Sequence, residues 1–280
     1  MSGWPTIAEE AFHGPGGEFV LRTEPHSEAH PMALLSQFLV AFGTACGRGA
    51  HYQVEADRHY SNEFVVLVGP TATGRKGSSW GHVRRLLGDT DPGFAGCLVG
   101  GLSSGEGLIS QVRDPLEDHH DQAPSDKRRL VVEPEFAQTL KVLAREGNTL
   151  SPVVRQAWDG EPLQTMVRND PLRASDAHIG IVGHITRDEL LRYLTATELA
   201  NGFANRNADP AGMPISRSSS ARLTAPPRRP AGRDATDHPT GYSPSSKISD
   251  AIMPTLTGAN RAFCGEFQTK VGMPAGSALR

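Results

Sequence analysis

Apolar positions in this chain switch between a helical and an extended period. From Glu28 onward, Leu35, Phe38, Leu39 and Phe42 fall at i, i+3, i+4 and i+7, the spacing of one helix face. Ser27 reads as its N-cap, and Gly43 and Gly47 as its exit. His51–Ala56 alternates, a polar stretch follows to Asn62, and then comes the continuous apolar run Phe64–Val68. That order predicts a hairpin or strand pair ahead of a buried strand. Trp80, Val83, Leu86 and Leu87 give a short helix ending at Gly88. The alternation then continues. Strands are expected at Cys97–Leu102, Leu130–Glu133 and His178–His184, and helices at Glu106–Val112, Glu135–Arg145, Val153–Trp158 and Asp188–Leu199. Strands separated by helices predict an α/β fold, a mostly parallel sheet flanked by helices on both faces.

The two ends of the chain lack this periodicity. Residues 1–26 are rich in Gly, Pro and His and read as an N-terminal extended segment. Residues 27–206 carry the core pattern. Residues 207–280 are rich in Pro, Ser, Arg and Ala and have few large apolar side chains. Such a composition buries too little apolar surface to offset the entropy of ordering, so a disordered, mildly basic C-terminal tail is expected.

At 280 residues the chain is long enough to bury a substantial core. Its formal charge of −3 argues against general binding of polyanions by the whole molecule. Three cysteines without a CxxC pair predict neither a zinc site nor a disulfide framework, and a reducing cytoplasm follows as the expectation. The N-terminus has no signal-peptide pattern, and no stretch reaches the roughly 20 apolar residues of a membrane span.

The most informative stretch is Phe64–Ser79. A β-branched run leads into Gly69 and Gly74, then Arg75, Lys76, Gly77, Ser78 and Ser79. Strand, glycine loop, lysine, hydroxyl and helix is the order in which backbone N–H groups at a helix N-terminus hold phosphates. In that reading Gly69 and Gly74 bracket the turn, Lys76 neutralises phosphate charge, and Ser78 or Ser79 ligates magnesium. The spacing departs from GxxxxGK[ST], because Arg75 separates Gly74 from Lys76 and Gly77 separates Lys76 from Ser78. An ordinary strand–loop–helix connection with a basic turn is the competing account.

Three carboxylates are candidates for the chemistry of a phosphate site. Glu133 ends the apolar run Leu130–Val132, where a carboxylate can hold the magnesium shell or polarise an attacking water. Glu135 follows two residues later as a water-activating partner, or simply opens a helix behind Pro134. Glu106 lies beyond the expected Cys97–Leu102 strand and is a candidate general base. Equally, Ser103 and Glu106 fit a capping box, as do Thr186 and Glu189. His184 at a strand end is either a phosphate sensor or structural. Arg206 is a candidate arginine finger acting on a neighbouring subunit, or a solvated surface residue.

Long strings of this sequence resemble a family of uncharacterised, helicase-like P-loop proteins of bacterial mobile elements, often found near primase–polymerases. The strings are EPHSEAHPMALLSQFLVAFG, EADRHYSNEFVVLVG, GRKGSSWG, GLSSGEGLI, VVEPEFAQTLKVLAREGNTLSPVVRQAWDG, HIGIVGHITRDELLRYL and ANGFANR. The resemblance runs from about Ala11 to Arg206. It implies a RecA-like P-loop NTPase core that binds ATP and magnesium through Gly69, Gly74, Lys76 and Ser78, with a role in replicating or mobilising DNA. It further implies single-stranded DNA or replication proteins as partners and a homo-oligomer as the working form. After Arg206 the family pattern continues into further apolar strand, whereas this chain enters NADPAGMPISRSSS. The departure reads as a truncation or frameshift. Two alternatives to an active ATPase follow: an inactive remnant, and a nucleic-acid-binding module acting through its basic tail.

Overall fold

The computed structural model describes residues 8–69, 75–116, 123–166 and 171–207. Helices α1 (Gly14–Thr23) and α2 (Pro31–Cys46) come first, then the strands β1 (His51–Val54), β2 (Asp57–Tyr60) and β3 (Phe64–Val68). Helix α3 (Lys76–Thr90), strand β4 (Leu98–Val99), helix α4 (Gly105–Ser110) and strand β5 (Arg128–Glu133) follow. Helices α5 (Phe136–Leu143) and α6 (Leu150–Asp159), the short strands β6 (Leu163–Gln164) and β7 (Arg173–Ala174), and strand β8 (His178–Ile185) come next. Helices α7 (Arg187–Tyr193), α8 (Ala196–Ala200) and α9 (Phe203–Arg206) close the described chain.

The fold is α/β. Its central sheet has four parallel strands in the order β3-β8-β5-β4, and β1-β2 and β6-β7 form two separate antiparallel pairs. Alternation along each strand divides the core. Phe64, Val66, Val131, Ile179, Ile181 and Ile185 face one layer, packed with Leu108, Ile109, Phe136, Leu140 and Val154. Val65, Leu67, Leu130 and Val182 face the other, packed with Phe19, Leu34, Phe38, Val83 and Leu86. Helices α1 to α3 therefore cover one face, and α4 to α7 with α9 the opposite one. Strand β8 sits between β3 and β5 and is buried along its whole length, as a sheet covered on both sides requires.

Two glycines of β8 allow the layers to close. A Cβ on Gly180 would stand 2.0 Å from Thr44 Oγ1 of α2, and one on Gly183 would stand 2.6 Å from Phe136 Cδ2 of α5. Helix α2 is further fixed at its C-terminus, where His178 Nε2 donates to Gly43 O (3.0 Å) and Arg128 Nη1 to Ala45 O (2.6 Å). Donors from side chains here satisfy carbonyls that have no partner within the helix.

Several element boundaries differ from those expected from sequence. Residues 14–23, read there as extended, form α1, whose Phe19 stacks on Phe38 of α2 at 5.3 Å. Helix α2 starts at Pro31, with His30 as N-cap accepting from Met32 N; Ser27 accepts from Ala29 N in the preceding turn. Proline fits the first helical position and holds the residue before it extended, which places the start. Gly43 lies inside α2 against Ser61 O, and Gly47, at φ 67°, ends the helix. The helix expected over Asp188–Leu199 is two helices, because Leu194 turns extended and Thr195 caps α8 through Glu198 N. Short pair β6-β7 carries no sequence periodicity long enough to announce it. The tail from residue 208 onward lies outside the described residues.

Candidate functional site

The connections after the strands leave on different sides. Helix α3 follows β3 onto the α2 face, whereas α7 follows β8 onto the α5 face. In an open parallel sheet, a crevice forms outside the carboxyl ends where neighbouring connections diverge in this way. Here the connections diverge between β3 and β8. Gly69 extends the β3–β8 ladder by donating to Ile185 O at 3.1 Å, so the glycine loop starts from a fixed point at the crevice mouth. Residues 70–74, and Gly74 with them, lie outside the described residues.

Lys76 is the first residue of α3. Its ammonium folds back and donates to Gly69 O at 2.6 Å, spanning the mouth of the loop. Burial pushes the Lys76 pKa down, while the carboxylates of Glu189 and Glu135 oppose that shift. The same carboxylates identify the lysine's surroundings: Glu189 comes from the first turn of α7 and Glu135 from the N-terminal boundary of α5. Lys76 thus follows the carboxyl end of β3, Glu189 that of β8 and Glu135 that of β5. Glu189 is held by Thr186 in a full capping box, with Thr186 Oγ1 donating to Glu189 Oε2 at 2.7 Å, and these bonds pull its pKa down.

The remaining residues of the glycine-loop motif take separate roles. Arg75 adopts the left-handed conformation (φ 47°) ahead of α3, and its exposed guanidinium pairs with Glu28 of the segment before α2. Gly77 and Ser78 are exposed on the first turn. Ser79 is fully buried. Its hydroxyl donates to Lys76 O at 2.7 Å and accepts from Gln37 Nε2 at 2.6 Å. Gln37, on α2 and also fully buried, accepts through Oε1 from His184 Nε2 at 3.0 Å. Burial pushes His184 down to about 4, with Lys76 adding to the shift, so the ring is neutral near pH 7. His184 therefore serves the core beneath the site.

Each predicted carboxylate has a defined position. Glu133, at the end of β5, is buried and accepts the N–H groups of Gly101 and Leu102. It thereby ties the loop after β4 to the centre of the sheet. Glu106 accepts from Thr149 Oγ1 at 2.9 Å, linking α4 to α6. The cap of α4 is Ser104, accepting from Gly107 N at 3.0 Å, in place of the expected Ser103–Glu106 box. Glu135 is exposed and makes no side-chain cap. Of the three, Glu135 is the one whose charge acts on Lys76.

Arg206 lies elsewhere. Its guanidinium forms a two-pronged pair with Asp159 at 3.1 and 2.9 Å, at the C-terminal end of α6. That end of α6 is beside Asn62, which precedes β3 and donates to Ala157 O and Trp158 O. Arg206 is thus at the amino ends of the strands, opposite Lys76. A cleft of about 460 Å³ also opens near that end, lined by Arg48, Asp126, Lys127, Arg128, Asp176 and His178 among others. Its cations are engaged within the protein: Arg48 on Ala177 O and Gly160 O, Lys127 on Val112 O and Asp114, Arg128 on Asp126 and Ala45 O.

Sequence reasoning did not single out Gln37. The signal was present, since Gln37 interrupts an apolar helix between Leu34, Phe38 and Ala41, and a polar side chain on a buried face must find partners. No helix among the described residues is long and apolar enough to cross a membrane. In comparisons with known proteins, no family model matches the chain, and no curated protein matches it either.

Proposed function

We propose that this chain binds a nucleoside triphosphate, ATP being the expected one, in the crevice between β3 and β8, as a RecA-like P-loop protein of the helicase-like class. The observation that carries the reading is the placement of Lys76. Its ammonium bridges back to Gly69 O at the start of the glycine loop, at the divergence of α3 and α7. A helix N-terminus and a half-buried ammonium at that location suit phosphate oxygens. The strand order adds support, because β8 lies between the glycine-loop strand and the carboxylate-ended strand β5.

Magnesium would accompany the nucleotide. Ser79 does not fit its shell, being buried and bonded to Gln37, and Gly77 offers no hydroxyl beside Lys76. Ser78, exposed on the first turn, and Glu135 are the side chains that suit it, with phosphate oxygens and water supplying the rest, as this ion prefers. Lys76 offsets phosphate charge, and Glu135 is the carboxylate positioned to orient a water. Glu133 holds the loop Gly101–Leu102 in place. Single-stranded DNA and a homo-oligomeric working form belong to this proposal as well.

A second reading, nucleotide binding without turnover, draws on the engagement of Arg206 with Asp159 and of Glu106 with Thr149. Calorimetric titration with ATP and magnesium, paired with a phosphate-release assay with and without single-stranded DNA, separates the two. Lys76→Ala is expected to weaken ATP binding at least tenfold with little change in Tm. Equal affinity in both proteins sinks the site; binding without DNA-stimulated phosphate release selects the second reading.

A further inference from the structure

Beneath the proposed phosphate site runs a directed chain of hydrogen bonds across three elements. Its direction is fixed by chemistry. Gln37 Nε2 donates to Ala33 O at 2.7 Å, and a carbonyl only accepts, so the amide orientation is settled. The same Nε2 donates to Ser79 Oγ, whose own proton goes to Lys76 O. Gln37 Oε1 is then an acceptor, and His184 Nε2 carries the proton that it receives. Donors run from β8 through α2 to α3, and end on the carbonyl of the residue that bears the ammonium. Gln37 and Ser79 are fully buried and His184 is 4% exposed, so water does not compete for these groups. Aligned bonds in a low-dielectric interior reinforce one another.

We propose that Gln37 is a positioning residue for the first turn of α3, setting the place of Lys76 relative to the end of the sheet with His184 as its anchor. This rests on the reading of Lys76 as a phosphate ligand, but the positioning itself has consequences that need no nucleotide. Along the first turn Lys76 ties back to Gly69 O, Gly77 has no side chain, Ser78 is exposed, and Ser79 is the residue whose side chain is fully buried. Its backbone is closed by Ser79 N donating to Arg75 O at 3.0 Å. Removing the Gln37 donor leaves the Ser79 hydroxyl without its buried partner and frees the turn to shift.

The experiment compares the full chain with Gln37→Met, which keeps length and apolar packing but has no donor, and with Gln37→Met/Ser79→Ala. Asn62→Ala, which frees Ala157 O and Trp158 O at the amino ends of the strands, serves as a control that destabilises the fold far from the site. Hydrogen exchange at the Ser79 and Trp80 amides is expected to rise at least tenfold in Gln37→Met, and ATP affinity to fall about tenfold. The double variant is expected to lose no more affinity than Gln37→Met alone, because the two side chains act as one unit. Asn62→Ala leaves affinity unchanged. Unchanged exchange in the first turn, or loss of affinity in Asn62→Ala equal to that in Gln37→Met, overturns the proposal. Should Gln37→Met fail to fold, Ser79→Ala alone, which removes the other end of the same bond, is read in the same assays. If the unmodified chain does not bind ATP, the nucleotide reading fails, and the exchange result alone decides the positioning role.

Discussion

Glu133 and Gly101 are joined by a carboxylate-to-amide hydrogen bond of 2.6 Å, and the same Oε1 accepts from Leu102 at 2.8 Å. Gly101 sits at φ 85°, so the loop turns sharply at the point where the carboxylate grips it. This bond pair links the end of β5 to the loop after β4, at the edge of the carboxyl face where the proposed site lies.

Glu133→Gln exchanges a charged acceptor for a neutral one and buries an amide N–H that needs a partner. Hydrogen bonds to charged groups contribute about 1.5–3 kcal/mol, so the variant is expected to lose on the order of 2 kcal/mol of stability. Urea denaturation at constant m-value measures it. The loop should respond locally too, with faster exchange at the Gly101 and Leu102 amides than at β5. A loss of activity without loss of stability would instead mark Glu133 as a ligand of the reaction.

The close approach of α2 to β8 gives a sharper test. A Cβ at position 180 would meet Thr44 Oγ1 at 2.0 Å, yet Thr44 Cβ stands at an ordinary 3.4 Å. Gly180→Ala is therefore expected to destabilise by about 2–3 kcal/mol, the range of overpacked cores. Thr44→Ala removes the nearest clashing atom, leaving Val40 Cγ1 at 3.2 Å, and should restore part of that loss in the double variant. The hydroxyl it removes bonds Val40 O of the same helix, so Thr44→Ala alone costs little. Thermal unfolding of the four proteins reads the cycle. Additive losses would show that α2 moves as a whole and that the threonine is not the obstacle.

How much of this was legible in the sequence depended on the range of the interaction. The apolar run of β3, the buried run of β8 and the Thr186–Glu189 box are local patterns, and the two strands and the cap form where expected. Helix α1 was hidden because His13, Gly14, Pro15, Gly16 and Gly17 suppress the intrinsic helical signal. Packing of Phe19 and Val20 against α2 overrides it. Strand order was not readable either, since β8 pairs with β3 across 117 residues and with β5 across 50. At the site, Lys76 and Gly69 followed from spacing. The engagement of Ser79 by Gln37, and of Arg206 by Asp159, links positions 42 and 47 residues apart, which no local window contains.

Two buried imidazoles make stability depend on pH. His178 and His184 are 1% and 4% exposed, and burial pushes both down to about 4 from an ordinary 6.5. His178 donates Nε2–H to Gly43 O, and its Nδ1 has no hydrogen-bond partner, so protonation brings it no compensating bond. Between pH 6.5 and 4 the unfolded chain takes up protons that the folded chain refuses. Their contribution is thus fully present above pH 6.5 and is lost as pH falls towards 4. Each proton linked to unfolding changes stability by about 1.4 kcal/mol per pH unit, which makes the total on the order of several kcal/mol for two imidazoles. Urea titrations from pH 7.5 to 4.5 should show a plateau, then a decline of two protons' slope. His178→Gln keeps a donor for Gly43 O and should halve that slope, whatever it does to stability at pH 7.5. A decline of the same steepness in both proteins would assign the linked protons to other groups.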